Sequence, residues 1–163
     1  MGRITNAPKW NNPILRAVRG TLEHRAAWLY LLLKEAQTRG IAWEEVGRPA
    51  IRACGTMHGR KLVHDGGTRS LRGLKKTLFT LPARWVFEMR ILEATDHRLA
   101  IDFGHCPLVA AWQKLGCTDE EIARLCDIAM EGDRGIAQTF GAELVLEGTI
   151  AAGDDRCRIR FSK

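Results

Sequence analysis

No apolar run in the 163-residue chain is long enough to cross a bilayer; the longest, Ala26–Leu33, falls far short of the roughly 20 residues a spanning helix needs. The amino-terminal stretch MGRITNAPKWNNP has no apolar core followed by a small-residue cleavage site. No secretory signal is read there, and the chain is expected in the cytoplasm with reduced thiols. The five cysteines, at positions 54, 106, 117, 126 and 157, never fall at C-x-x-C spacing, which excludes zinc-ribbon and thioredoxin motifs. Aromatic residues make up only 7% of the chain and none interleaves with its basic residues, so there is no stacking platform for a single strand and nucleic acid is not an expected partner. Internal repeats and low-complexity tracts are also missing. What remains, 45% hydrophobic and 27% charged, is the composition of one globular domain.

Charge is unevenly spread within the net +6: residues 1–76 carry 15 Lys+Arg against 5 Asp+Glu, and residues 77–163 carry 10 against 14. The basic residues of the first half are mostly single, as on a solvated helical surface, and such a half also suits an anionic substrate.

The first half reads as helical. Leu15, Val18, Leu22, Leu29, Leu33 and Ala36 recur at three- and four-residue spacing between Pro13 and Arg39, the pattern of a helix with one buried stripe. A second helix is expected from about Trp43 to Val63, or from Pro49 onward, with Ala50, Ile51, Cys54, Met57 and Leu62 on one side. His64–Thr68 is a turn, followed by the basic segment Arg69–Lys76. From Trp85 the period changes to alternation, and two strands around an Asp96–Arg98 turn form a hairpin. Pro107–Leu115 is helical, Thr118-Asp-Glu-Glu121 is a capping box that opens a helix to about Met130, and Asp133–Phe140 is a further short helix. Glu143–Ile150 and Arg156–Phe161 are strands. The expected fold is a single α+β domain over residues 1–163. Its helical half, 1–76, packs on an antiparallel sheet of about four strands in residues 84–163, with helices inserted between the second and third strands.

Cys106 ends a strand, precedes Pro107 and so falls at a helix N-cap, where unpaired amides and the helix dipole favour a thiolate. It reads equally as a small residue at a strand-to-helix junction. His105 points, by alternation, to the opposite face unless the helix start turns it inward. Cys126 shares a helix face with Ile122 and Ala129, as a core residue does. Asp127 reads as solvated, whereas Asp133 is either the N-cap of the next helix or, if helix continues through Gly132, a residue of the inner face. Cys157 lies on the core side of a strand with Ile159 and Phe161, and Arg156, Arg158 and Arg160 face the other way, with Glu147 as a cross-strand partner. His58 and His64 lie on the basic half. Inward placement of Cys106, Cys126 and Cys157 predicts that these three thiols converge, without Cys54 and Cys117.

The order Cys106-Pro107, Trp112, Leu125-Cys126-Asp127, Asp133 and Gly153-Asp154-Asp155-Arg156-Cys157 within residues 103–161 resembles the L-2-amino-thiazoline-4-carboxylic acid hydrolase family. The resemblance implies a small cyclic amidine as substrate: water adds to the ring carbon between nitrogen and sulfur, and the carbon–sulfur bond breaks. For such chemistry Cys106 is the candidate nucleophile, Asp133 the general base, and His105 or His58 the proton donor. Cys126, Cys157, His58 and Asp127 would line the site, and an arginine of the basic half would meet a substrate carboxylate. The same ending is similar to the domain of 4-vinyl reductase proteins and phenol-sensing regulators, a non-catalytic small-molecule or metal-sensing class that uses cysteines for zinc. Thr149 stands where the second ligand cysteine of that pattern is expected. If a metal is present, the remaining ligand set is Cys106, Cys126 and Cys157.

Overall fold

The computed structural model describes residues 4–163. Helix α1 spans Pro13–Thr38. The side chain of Asn12 caps it by accepting the Leu15 N–H at 2.9 Å, and Pro13 occupies the first turn, where its missing N–H is not needed. Leu15, Arg19, Ala26 and Leu33 are its buried residues.

Helix α2 spans Trp43–Gly66 and passes through Pro49 rather than starting there. Its buried residues are Trp43, Gly47, Gly55, Gly59 and Leu62, so of the expected apolar face Leu62 is buried but glycines take the rest of the contact. Met57 is 69% exposed and Cys54 is exposed. The reason is a backbone-to-backbone contact. A Cβ on Gly55 would stand 2.0 Å from the Gly132 carbonyl oxygen, and one on Gly135 would stand 2.6 Å from the Arg52 carbonyl oxygen. Glycines carry this helix pairing, and they are silent in a hydrophobic pattern.

Two short helices, α3 (Leu71–Thr77) and α4 (Leu81–Val86), lead into the sheet. The alternation read from Trp85 is corrected here: Pro82 opens a helical turn, Trp85 is exposed on it, and the strand begins at Met89. Strands β1 (Met89–Ala94), β2 (Arg98–Phe103), β3 (Glu143–Gly148) and β4 (Cys157–Ser162) form one antiparallel sheet in the order β1-β2-β4-β3. The fold is α+β, with three helices between β2 and β3. These are α5 (Pro107–Lys114), α6 (Asp119–Ala129) and α7 (Glu131–Thr139). The Thr118–Glu121 capping box is formed from both sides. Helix α7 starts directly after Met130, so Asp133 lies in its first turn and is not an N-cap.

The inner face of the sheet buries Leu99, Ile101, Cys157, Ile159 and Phe161. On the outer face Arg160 bonds Asp102 and Glu147, each at 3.0 Å, and Arg158 reaches Asp154 and Asp155. No helix of the described residues is long and apolar enough to cross a membrane.

Candidate active site

Strand β2 delivers the chain to the head of α5, where Cys106 is the N-cap in an extended conformation, φ −127° and ψ 109°. The residue before it is pinned, since the His105 N–H donates to the Phe87 carbonyl at 3.1 Å. The amides of Leu108 and Val109 favour a thiolate at Cys106, although none makes a capping hydrogen bond of ordinary geometry to the sulfur. Burial outweighs them and pushes the thiol up rather than down, assisted by the charge of Asp133. The thiolate expected from the helix terminus is therefore corrected. At rest Cys106 is a thiol, and it needs a base to become a nucleophile.

Three other groups, on three elements, are near enough for its charge and theirs to act on one another. Cys126 on α6 and Cys157 at the start of β4 are both buried. Burial drives the Cys126 thiol well up, and charges at Cys106, Cys157, Asp127 and Asp133 would all oppose its ionisation. Cys157 is pushed up to about 12 by burial and by Cys106, against the Ile150 N–H, which donates to its sulfur at 3.3 Å. Asp133 on α7 keeps some solvent contact but is surrounded by enough protein that burial pushes its carboxyl up to about 6. Its own backbone N–H and the guanidinium of Arg25 oppose that rise. Cys106, Cys126, Cys157 and Asp133 thus lie close enough for their charges to act on one another.

The other candidates lie elsewhere. Cys54 is exposed on α2, in place of the burial expected for it, and Cys117 stands beside Tyr30. His58 is exposed on α2. His105 is buried with the opposite neighbours, its Nδ1 on the Asn6 carbonyl at 3.0 Å, and burial and the charge of Arg19 lower its pKa. Asp127 points away into an ion-pair network with Arg48 at 2.5 Å and Arg134 at 2.9 Å. Those pairs hold its carboxyl below the usual range despite the opposing effect of burial. Among the described residues no three His, Cys, Asp or Glu side chains are placed to hold a metal ion. The three-thiolate set does not fit zinc.

Two residues that the sequence leaves unmarked act on this group. Arg25, exposed on α1, bears on both Cys106 and Asp133. The next residue, Ala26, is buried and its carbonyl accepts from Trp112 Nε1 at 3.1 Å, which fixes this turn of α1 on α5. Arg19, Arg39, Arg48, Arg52 and Arg72 are engaged by carboxylates. Arg25 has no carboxylate within ion-pair distance among the described residues. Asn6 meets the backbone of Cys106 at two points, 2.8 and 2.9 Å. Two shallow concavities, one beside α3 and one over the outer face of the sheet, lie away from these residues.

No curated protein matches the chain. Among solved structures, the chain is similar to a trafficking protein particle complex subunit 3 from Naegleria fowleri, covalently bound to palmitic acid, with 13% identity and a TM-score of 0.55 over 86% of this chain and 93% of that one. At that identity the likeness shows the fold alone. The profile of the L-2-amino-thiazoline-4-carboxylic acid hydrolases matches residues 19–161, from the second turn of α1 to the last strand and across all four grouped residues, and the chain belongs to that family.

Proposed function

We propose that the protein opens a small, carboxylate-bearing cyclic amidine of the 2-aminothiazoline type, with Cys106 as nucleophile and Asp133 as the group that moves the proton. The observation that supports this reading is that Cys106 at the head of α5 and Asp133 in the first turn of α7 lie near enough for the Asp133 charge to act on the Cys106 thiol, with the Arg25 guanidinium acting on both. A carboxyl pushed up to about 6 is ionised at neutral pH and basic enough to draw a proton in the transition state.

The steps balance without an oxidant or a metal. Asp133 accepts the Cys106 proton as the sulfur bonds to the ring carbon between nitrogen and sulfur. The ring carbon–sulfur bond breaks, and the proton passes from Asp133 to the departing ring sulfur. The carbon is then held on Cys106 as an isothiourea. Water adds to that carbon with Asp133 again taking a proton, the Cys106–carbon bond breaks, and the thiol is restored as the ureido product leaves. One water is consumed overall. Asp133 replaces His105 and His58 as proton donor, since neither joins the group around Cys106. Arg25 is the candidate partner for the substrate carboxylate, as a guanidinium without a carboxylate of its own beside the reacting groups.

The test is release of free thiol from L-2-amino-thiazoline-4-carboxylate by the purified protein, with trapping of the isothiourea on the Cys106 peptide by mass spectrometry. Cys106→Ala is expected to abolish turnover, and Cys54→Ala to leave it nearly intact. A folded Cys106→Ala at the wild-type rate removes the nucleophile assignment. A wild type that releases no thiol from any cyclic amidine removes the hydrolase reading and puts the non-catalytic binding module in its place.

A further inference from the structure

The segment before α1, residues 4–12, is neither helix nor strand and precedes the residues matched by the family profile. It is nonetheless tied down along its length. Ile4 is buried and its carbonyl accepts from Gln113 Nε2 at 3.1 Å. The Lys9 and Trp10 N–H groups donate to Glu88 Oε1 at 2.6 and 3.1 Å, and the Trp10 carbonyl accepts from Arg19 Nη1 at 2.6 Å. Between these anchors lies Asn6. Its Oδ1 accepts the Cys106 N–H at 2.9 Å and its Nδ2 donates to the Cys106 carbonyl at 2.8 Å.

The Cys106 carbonyl also accepts the Ala110 N–H at 3.1 Å, the first bond of α5, so helix and Asn6 together hold the peptide plane after the Cα; the plane before it takes its bond from Asn6 Oδ1, and with both planes held the direction of the Cα–Cβ bond is set. Asn6 is itself held through its carbonyl by His105 Nδ1 at 3.0 Å, and the segment on either side of it by Gln113, Glu88 and Arg19. We propose that Asn6 is a positioning residue for Cys106, fixing the direction in which its sulfur leaves the head of α5. This rests on the reading of Cys106 as nucleophile. The segment reaches the chemistry only through backbone groups, so no side-chain pattern within residues 103–161 reveals it.

Loss of aim acts on the transition state more than on ground-state binding, and a misplacement of about 1 Å costs on the order of 100-fold. Asn6→Ala should lower kcat by about 10- to 100-fold with little change in KM. Gln113→Ala, which loosens the same segment at Ile4 without touching the Cys106 clamp, should keep kcat within about twofold. If the two variants lose kcat equally, the segment is a structural strap and the proposal is overturned.

A second readout does not depend on turnover. The charged and titratable groups facing Cys106 are Asp133 from α7, Arg25 from α1, Cys126 from α6 and Cys157 from β4. All of them remain in Asn6→Ala, so a change in the pH midpoint of Cys106 alkylation by iodoacetamide reports the clamp. Displacement of the sulfur from the Leu108 and Val109 amides should raise that midpoint. A fall toward the ordinary thiol range means that Asn6 only shields Cys106 from water, and an unchanged midpoint means that it does not hold the sulfur; either overturns the proposal. A wild type inactive on cyclic amidines refutes the proposed function, and the alkylation midpoints still decide the role of Asn6.

Discussion

Keeping Asp133 ionised at neutral pH costs folding free energy. Its carboxyl is raised from 3.8 to about 6 by burial, so the folded state binds that proton more tightly than the unfolded chain. The associated stability is complete below about pH 4 and is lost as pH rises through 6. At one pKa unit per 1.36 kcal/mol the loss at neutral pH is at most about 3 kcal/mol. Asp133→Asn removes the charge and keeps the shape, so it should be about 1–3 kcal/mol more stable than the wild type in denaturant titrations at pH 7, with the gain vanishing near pH 4. The same substitution should lower kcat by about 10²- to 10⁴-fold, the usual worth of a positioned base. A variant that is no more stable at neutral pH would show that the carboxylate is not held against burial. The wild-type rate should rise with a midpoint near pH 6. The charge of Arg25 opposes the effect of burial at Asp133, so Arg25→Met should move that limb to higher pH. It should also erase a preference of about 10- to 100-fold for a thiazoline carboxylate over the same ring without the carboxylate. If Arg25→Met retains the full preference, another cation meets the substrate.

At the scale of elements, the site depends on how closely α2 approaches α7. Gly55 and Gly59 on α2 face Gly132, Gly135 and Ile136 on α7, and Asp133 lies within that stretch. Arg52 bonds Glu131 at 2.5 Å across the same seam. Gly55→Ala forces a methyl against the backbone of Gly132, which a side-chain rotation cannot relieve. The expected loss is about 3 kcal/mol, or a fall in Tm of roughly 6–12 °C for a domain of this size; a change below about 2 °C in thermal unfolding would refute the close approach. This seam also marks where reading the sequence stops. Helix α1 is legible because Leu15 and Leu33 of the apolar stripe are buried and Leu29 packs against the core, although Val18 of the same stripe is exposed, and α6 because Thr118 and Glu121 make their contacts within one turn. In α2 the packing signal is largely the absence of side chains, so of the residues that apolar spacing selects Leu62 is buried and Ile51 half-buried, while Ala50, Cys54 and Met57 are exposed. The turn from Pro82 to Val86 is missed for a related reason, as Trp85 and Val86 have strand propensity but follow a proline that starts a helix.

Across the whole molecule, local signals carry the fold and long-range contacts carry the site. The hairpin, the capping box and the alternation of Cys157, Ile159 and Phe161 each extend over a few residues and can be read in place. Cys106, Cys126, Asp133 and Cys157 are marked by family order and inward placement, but the partners that complete them are not. Arg25 is one of several scattered arginines until α1 lies on α5, and Asn6 is 100 residues from Cys106. His105 shows the converse: adjacent to Cys106 in sequence, it faces Asn6 and Arg19 instead. The five thiols turn this arrangement into a measurement on the intact protein. Cys54 is exposed, Cys106 and Cys117 are partly covered, and Cys126 and Cys157 are buried. Their raised pKa values further reduce the reactive thiolate at Cys126 and Cys157. Under native conditions Cys54 should therefore alkylate first, Cys106 and Cys117 more slowly, and Cys126 and Cys157 only at the rate of global unfolding, as read by peptide mass spectrometry over time. If Cys126 and Cys157 react together, at a rate that is independent of added denaturant, then helix α6 parts from β4 by local opening. The walls of the site would then move while the rest of the domain stays folded, and the rigid placement of Cys106 against Asp133 on which the proposed chemistry relies would be lost.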